Sequence, residues 1–324
     1  MGPVLQQLLE GVLIHERQPF VIYFRYQNHI YEYSYGLDYP EPKSVNFRLA
    51  SVTKQFIAYT IIDLVNKEKL SFDTKISSIY PSFPPYFESI TIQHLLSHTS
   101  GIYDYEDFLE KKYQDRQLLD EDIIDFLKNT DGTYFTPGAK YRYSNTAYIL
   151  LGLIIAKISG EQLEEYIPKI IFKPLSMDNS YVNIEGKTKI KNRALGHILV
   201  DGGITMRDQY WCSATIGDGG IYSNVFDLIK WLSHLEANID SLKETMFKKL
   251  VSTDNQNSYY GMGMRIVELD NKEIYTHSGS TIGTNTLIAF SKDFDFELIF
   301  LTNLGPTSTE KIKDNLYQLV TKRS

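Results

Sequence analysis

Residues 261–301 read GMGMRIVELDNKEIYTHSGSTIGTNTLIAFSKDFDFELIFL. Four runs stand out within them, at 261–268, 273–277, 284–290 and 296–301. Each is rich in β-branched and aromatic residues, and polar turns such as Asp270-Asn271 separate them, so the stretch predicts successive antiparallel strands. Two similar runs lie at the opposite end of the chain, 20–25 and 29–35, around a Gln27-Asn28 turn. The two ends are therefore expected to build one antiparallel sheet. Helical spacing flanks it on both sides. Val4, Leu5, Leu8, Leu9 and Val12 recur near the start, and Ile312, Leu316, Leu319 and Val320 near the end. Thr307 and Glu310 stand where a capping box would open the last helix. These terminal helices are expected to pack on one face of the sheet.

The middle of the chain changes character. Segments 53–66, 120–128, 145–158, 162–171 and 225–235 show helical periodicity, and Pro168 ends or kinks the fourth. Pro81, Pro84 and Pro85 mark a loop. The expected fold class is α+β, with a sheet region at 1–50 and 255–324 and a mainly helical region at 51–254 inserted into it. No shift in composition marks a linker, so residues 1–324 are expected to form a single domain whose two regions share an interface.

Composition narrows the function. Of 324 residues 43% are hydrophobic, enough to offset the entropy of ordering the backbone, which argues against disorder. The net charge of −7 argues against a nucleic-acid partner, which would want clustered Lys and Arg. Cys212 is the sole cysteine, so no intramolecular disulfide forms. The start, MGPVLQQLLEGVLIHE, lacks the basic region and cleavage site of a signal peptide. The longest apolar stretch, 147–156, is too short to span a bilayer. A cytoplasmic location without a transmembrane segment is the resulting expectation; the oligomeric state is not legible.

Three short motifs carry the chemistry. In Ser51-Val52-Thr53-Lys54, the serine and lysine share one face at the start of a helix. An amine can there take the serine proton, and the unpaired N–H groups of the helix start can stabilise an oxyanion. The match Ser308-Thr309-Glu310-Lys311 has the same spacing and reads as the solvated start of the last helix. In Tyr143-Ser144-Asn145, a phenol can shuttle protons and an amide can hold a substrate amide. Tyr222-Ser223-Asn224 repeats the tripeptide, but only the first follows Phe135-Thr136-Pro137-Gly138 and opens a helix. His277-Ser278-Gly279 ends a strand, and its glycine permits close approach to the backbone.

Taken in this order, the motifs resemble those of the β-lactamase and penicillin-binding-protein superfamily of active-site-serine enzymes. The resemblance is closest to the branch of class C β-lactamases, D-alanyl-D-alanine carboxypeptidases, D-aminopeptidases and esterases. It covers nearly the whole chain: Phe47-Arg48-Leu49-Ala50 before Ser51, Leu95 through Ile102, Phe135 through Gly152, and Gly219-Gly220-Ile221-Tyr222-Ser223 with Asp227 and Trp231. The resemblance implies Ser51 as the acylated nucleophile, Lys54 and Tyr143 as general acid/base, Asn145 as substrate-orienting, and His277 in place of the third-motif base. It implies an oxyanion hole at the N–H groups of Ser51 and Ser280, beside Gly279. It implies neither metal nor organic cofactor.

Many β-lactamases carry lysine where this chain has His277. A neutral histidine recognises a carboxylate less strongly, so an esterase, D-amino-acid peptidase or carboxypeptidase is expected rather than an efficient β-lactamase. The expected partner is a small-molecule or peptide substrate. Tyr103, Tyr105, Tyr210 and Trp211 lie on expected loops near the motifs and are candidates for an apolar cleft wall, Tyr210 and Trp211 as substrate-binding residues. An α/β-hydrolase is disfavoured because Gly-x-Ser-x-Gly is absent. His94 and His98 are spaced for a zinc protease, but Leu95 follows His94 where glutamate is needed. The rival reading is a catalytically quiet scaffold or ligand sensor of the same fold.

Overall fold

The computed structural model describes residues 1–15, 17–113 and 115–321. Eight antiparallel strands form its main sheet, in the spatial order His29–Tyr35, Phe20–Tyr26, Phe296–Thr302, Thr284–Ser291, Lys272–Thr281, Arg265–Leu269, Ser258–Tyr260 and Val251–Ser252. The two ends of the chain meet inside it, with Phe20 opposite Thr302 and Tyr26 opposite Phe296. The turns are set locally. Gln27 and Asn28 hold φ at 48° and 64°, and Asp270 and Asn271 at 51° and 60°. Two left-handed residues in a row match the twist of the strands they join, and Asn and Asp tolerate that conformation best after glycine.

The run expected as a strand over 261–268 begins pairing only at Arg265. Ahead of it the chain bends, with the Gly261 N–H donating to Met264 O, and Gly263 at φ 73°. A Cβ on Gly263 would stand 2.5 Å from Lys54 O. The glycine thus lets this bend press onto the helix that carries the lysine.

Alternation along the strands divides two cores. Phe20, Ile22, Phe24, Leu298 and Phe300 face the terminal helices, Pro3–Leu9 and Thr309–Thr321, through Leu5, Leu8, Leu9, Ile312 and Leu316. Val21, Tyr23, Ile288, Ile299 and Leu301 face the inserted helical layer. Both faces of the central strands are therefore dry, which is why 284–290 and 296–301 read as nearly continuous apolar runs, while the edge strand His29–Tyr35 stays largely exposed. The first helix stops at Leu9, since Gly11 turns the chain at φ 67°, yet Val12 still enters the same core. The last helix is capped one residue later than expected. Ser308 Oγ accepts the Lys311 N–H at 3.2 Å, while Thr307 donates to Leu304 O and Glu310 pairs with Lys313.

In the inserted layer, helices Thr53–Asn66 and Asp120–Lys128 fall where periodicity puts them. Asn145–Ser159 runs to Gly160, left-handed at φ 76°. Leu163–Ile167 gives way at Pro168 to a wider turn, closed by the Lys173 N–H on Pro168 O. Val225–Ala237 is two residues longer than the periodicity shows. The layer also holds two small sheets that are not legible in the sequence. One joins Phe47–Arg48, Ile221–Ser223 and Tyr181–Val182; the other is the hairpin His197–Val200 with Gly203–Met206. Strands of two to four residues carry too little alternation to be read. Among the described residues no single helix is long and apolar enough to cross a membrane.

Candidate active site

Ser51 sits in the turn Ala50–Val52, directly ahead of the helix Thr53–Asn66. Ala50 is held left-handed at φ 48°, a conformation that costs a residue with a Cβ about 1–2 kcal/mol. Neighbouring bonds hold the turn: the Leu49 N–H donates to Ile221 O, and Thr53 Oγ1 accepts the Ile221 N–H. Thr286 Oγ1 donates to Leu49 O at 2.8 Å.

Lys54 lies one helical turn on and is fully buried. Its Nζ is 3.1 Å from Ser51 Oγ, 2.8 Å from Asn145 Oδ1 and 2.8 Å from Asp218 O. An ammonium would donate to all three. A neutral amine would donate to Asn145 and Asp218 and accept from the Ser51 hydroxyl. The same three contacts suit both protonation states, as a proton acceptor requires.

Asn145 is the first residue of the helix Asn145–Ser159, whose start is doubly capped. Ser144 Oγ accepts the Ala147 N–H, and the buried Asp104 Oδ2 accepts the N–H groups of Asn145 at 2.6 Å and Thr146 at 3.3 Å. Burial pushes the Asp104 carboxyl up against the pull of those bonds. Tyr143, just ahead of the cap, stacks its ring 4.3 Å from the His98 ring and 5.0 Å from Lys54 Nζ. Its hydroxyl is buried without a hydrogen-bond partner among the described residues. His98 accepts the Ser144 N–H through Nδ1 at 3.1 Å, and its burial pushes it well below the ordinary histidine range. It is a neutral support for Tyr143.

His277, expected in place of the third-motif base, is enclosed. It is buried, Nδ1 lies 2.7 Å from Ser278 O, and Nε2 lies 3.0 Å from the Tyr260 hydroxyl. Facing a carbonyl, Nδ1 carries the proton and Nε2 accepts from Tyr260. Burial first, then the charges of Arg265 and Lys54, push its pKa well below the ordinary value. The reason is position: it lies within the sheet's long strand, under the helical layer. Its ring comes within 6.3 Å of the Tyr143 ring, but it is neutral and both nitrogens are engaged.

Further along that strand, Gly279 presses on the turn that carries Ser51. A Cβ there would overlap Leu49 O and stand 3.0 Å from Ser51 N. Gly279→Ala is expected to lower stability by about 2–3 kcal/mol through overpacking. Because the overlap falls on the turn itself, the acylation rate should fall with it. Chemical denaturation and ester turnover on one preparation check both effects.

Ser280, Thr281, Glu106, Cys212 and Asp218 line a cavity of about 50 Å³ at Ser51. Glu106 is pushed up to about 7 there, by desolvation first and then by the charges of Asp104 and Asp218. Tyr105 belongs to this cavity, with its hydroxyl donating to Asp218 Oδ2 at 2.9 Å. Tyr210 and Trp211 do not. They line a neighbouring cavity of about 540 Å³ with Tyr113 and Arg207, and Tyr210 donates to Glu110. Trp211 reaches the site through Tyr105, which it meets edge-on at 5.6 Å. Tyr103 lines a third cavity, with Phe108 and Phe126. Of the aromatics expected to form an apolar wall, Tyr105 thus lines the Ser51 cavity itself, while Tyr103, Tyr210 and Trp211 stand one layer outside it.

Several contributors carry no motif of their own. Asp218 serves through its backbone carbonyl, which any residue could supply. Asp104 and Tyr260 act through distant partners, whereas His98 belongs to the signature at Leu95 through Ile102.

A family model described as Beta-lactamase matches residues 42–322. A penicillin-binding protein of Bacillus subtilis (strain 168) is 30% identical over 296 residues, which span 85% of this chain and 65% of that one. A D-aminopeptidase of Gluconobacter oxydans (strain 621H) is 24% identical over 257 residues, 75% of this chain and 46% of that one. The chain thus spans less than two thirds of the length of these curated relatives. An octameric penicillin-binding protein homologue from Pyrococcus abyssi superposes with a TM-score of 0.82 at 27% identity, over 98% of this chain and 76% of that one. With the fold, the serine–lysine pair and these likenesses in agreement, the chain belongs to the beta-lactamase family of serine hydrolases.

Proposed function

We propose that this chain hydrolyses an ester or amide through an acyl-enzyme on Ser51, as an esterase or a D-amino-acid peptidase, amidase or carboxypeptidase. The observation that carries this reading is the Lys54 amine, buried and held 3.1 Å from Ser51 Oγ by Asn145 and Asp218. Ser51 Oγ attacks the substrate carbonyl carbon while its proton passes to Lys54. The carbonyl π electrons move to oxygen, where the N–H groups of Ser51 and Ser280 receive the charge. When the tetrahedral adduct collapses, the bond to the leaving alcohol or amine breaks. The proton returns to that group through Lys54 and Tyr143. Water then attacks the acyl-enzyme, Tyr143 takes its proton, and Ser51 regains its hydroxyl hydrogen. Asn145 orients the scissile amide or ester from the side of Lys54.

The buried, neutral His277 offers no cation to a substrate carboxylate, which favours esters and D-amino-acid amides over β-lactams and carboxypeptidase substrates, both of which carry one. The D-aminopeptidase relative supports the D-amino-acid branch of this reading. The test is intact mass after exposure to p-nitrophenyl acetate, D-phenylalanine amide, a D-alanyl-D-alanine peptide and a cephalosporin. An acyl adduct on the peptide bearing Ser51, from the ester or the D-amino-acid substrates, is expected. Absence of both adduct and turnover across the panel would leave the quiet scaffold standing instead.

A further inference from the structure

Glu106 takes no part in the reaction drawn above, yet the fold seats it beside the nucleophile. Asp104 does the seating. Its Oδ1 accepts the Glu106 N–H at 3.2 Å, and its Oδ2 accepts the Asn145 N–H at 2.6 Å. Between them the Tyr105 N–H donates to Thr146 Oγ1 at 2.8 Å. One buried carboxyl thus holds Glu106 and Asn145 in a single frame. The Asn145 amide meets Lys54 through Oδ1, and its side chain hydrogen-bonds the Glu106 carboxyl as well. Glu106 and Ser51 line the same small cavity, about 50 Å³.

The charge of each group facing that cavity follows from its surroundings. Burial pushes the Tyr105 phenol well above its ordinary range and the Cys212 thiol up to about 12, so both stay neutral. Arg48 donates through Nε to Gly219 O at 3.1 Å, has Nη1 buried without a partner among the described residues, and keeps its charge. Asp218 gives Oδ2 to Tyr105, and its Oδ1 is buried without a partner among the described residues. Lys54 must be neutral at the moment it takes the serine proton. One fixed cation then stands against two carboxyls. A carboxylate beside the nucleophile also opposes the negative charge that builds on the substrate oxygen, a cost unless something positive meets it.

The direction of the cavity says which half of the substrate Glu106 would meet. Tyr143, which returns the proton to the leaving group, opens instead onto the cavity of about 630 Å³ that it shares with Lys140, Arg142, Asp254 and Arg265. The leaving group lies on that side, and the acyl group on the side of Glu106. We infer that Glu106 is a specificity-determining residue that receives a free ammonium on the acyl group, so that the substrates are aminoacyl esters and amides with an unblocked amine. The inference rests on the acyl-enzyme reading of Ser51. An ammonium there donates to the Glu106 carboxylate, favours its ionised form, and supplies the positive charge that neutral Lys54 lacks.

The experiment compares two esters of one three-carbon acyl skeleton, D-alanine p-nitrophenyl ester and p-nitrophenyl propionate, which differ by the ammonium. Their kcat/KM values are measured on wild type and Glu106→Gln at one neutral pH, with Ser51 adduct mass on each. The intrinsic reactivity of each ester cancels between the two proteins. The ratio of the amine ester to the propionate should fall by about 10- to 100-fold in Glu106→Gln, the worth of one charge-assisted contact. A smaller fall, an equal loss on both esters or a rise overturns the inference, as does a wild type that is acylated by the propionate and not by the amine ester. If the glutamine variant does not fold, Glu106→Ala decides by the same ratio. Wild type that turns over neither ester and carries no Ser51 adduct is a different outcome, and it removes the acyl-enzyme reading itself.

Discussion

Ser51→Ala is expected to lower kcat by about 10⁴-fold or more and to abolish labelling by a fluorophosphonate, with the thermal midpoint almost unmoved. The loss is large because the hydroxyl is the only part of the residue that reacts, and the lysine has nothing else to activate. Stability is spared because the side chain lines the cavity and, among the described residues, its oxygen bonds only to Lys54, at 3.1 Å. One such bond is worth about 1 kcal/mol. The strained turn does not depend on it, since Ala50, Leu49 and Thr53 are held by backbone and threonine contacts. Mass-resolved labelling and a melting curve on the same sample check both halves. Persistent labelling would move the nucleophile to another residue.

Lys54→Met is expected to reduce kcat/KM by about 10²- to 10⁴-fold, the usual contribution of a positioned general base. It should not unfold the protein. Methionine fills most of the buried volume and removes the cost of burying a charge. Against that, Asn145 Oδ1 and Asp218 O lose their donor, each at about 1–3 kcal/mol if water does not enter. The relieved burial of the amine offsets part of the roughly 2–6 kcal/mol those two acceptors lose, so the net change is a partial loss of stability, well short of the activity loss in proportion. Turnover of esters and a denaturation curve separate the two, and a folded variant retaining wild-type rates would exclude the lysine as the base.

These effects follow from a site whose parts differ in how openly the chain displays them. Ser51 and Lys54 are legible because three residues of helix suffice to bring them together. Tyr143 and Asn145 are legible as a tripeptide at a helix start. His277 is legible as a motif, but what keeps it neutral is not. Its neutrality comes from Tyr260, Ser278 and the overlying helical layer, none of which its neighbours in sequence announce. Tyr210 and Trp211 lie close to Cys212 in sequence, yet only Cys212 turns into the Ser51 cavity. The failed capping box at Thr307 has a similar cause, because Thr307 is drawn away by Gln18 and Leu304.

Periodicity and turn chemistry therefore specify this protein's sheet, its terminal helices and the serine–lysine pair, because each depends on residues within one or two turns or on a pleat of period two. The charge state of the third motif, the cleft walls and the carboxyl beside Ser51 were set by folding. Each arises where strands or loops far apart in the chain come together, and burial there fixes which groups keep a charge.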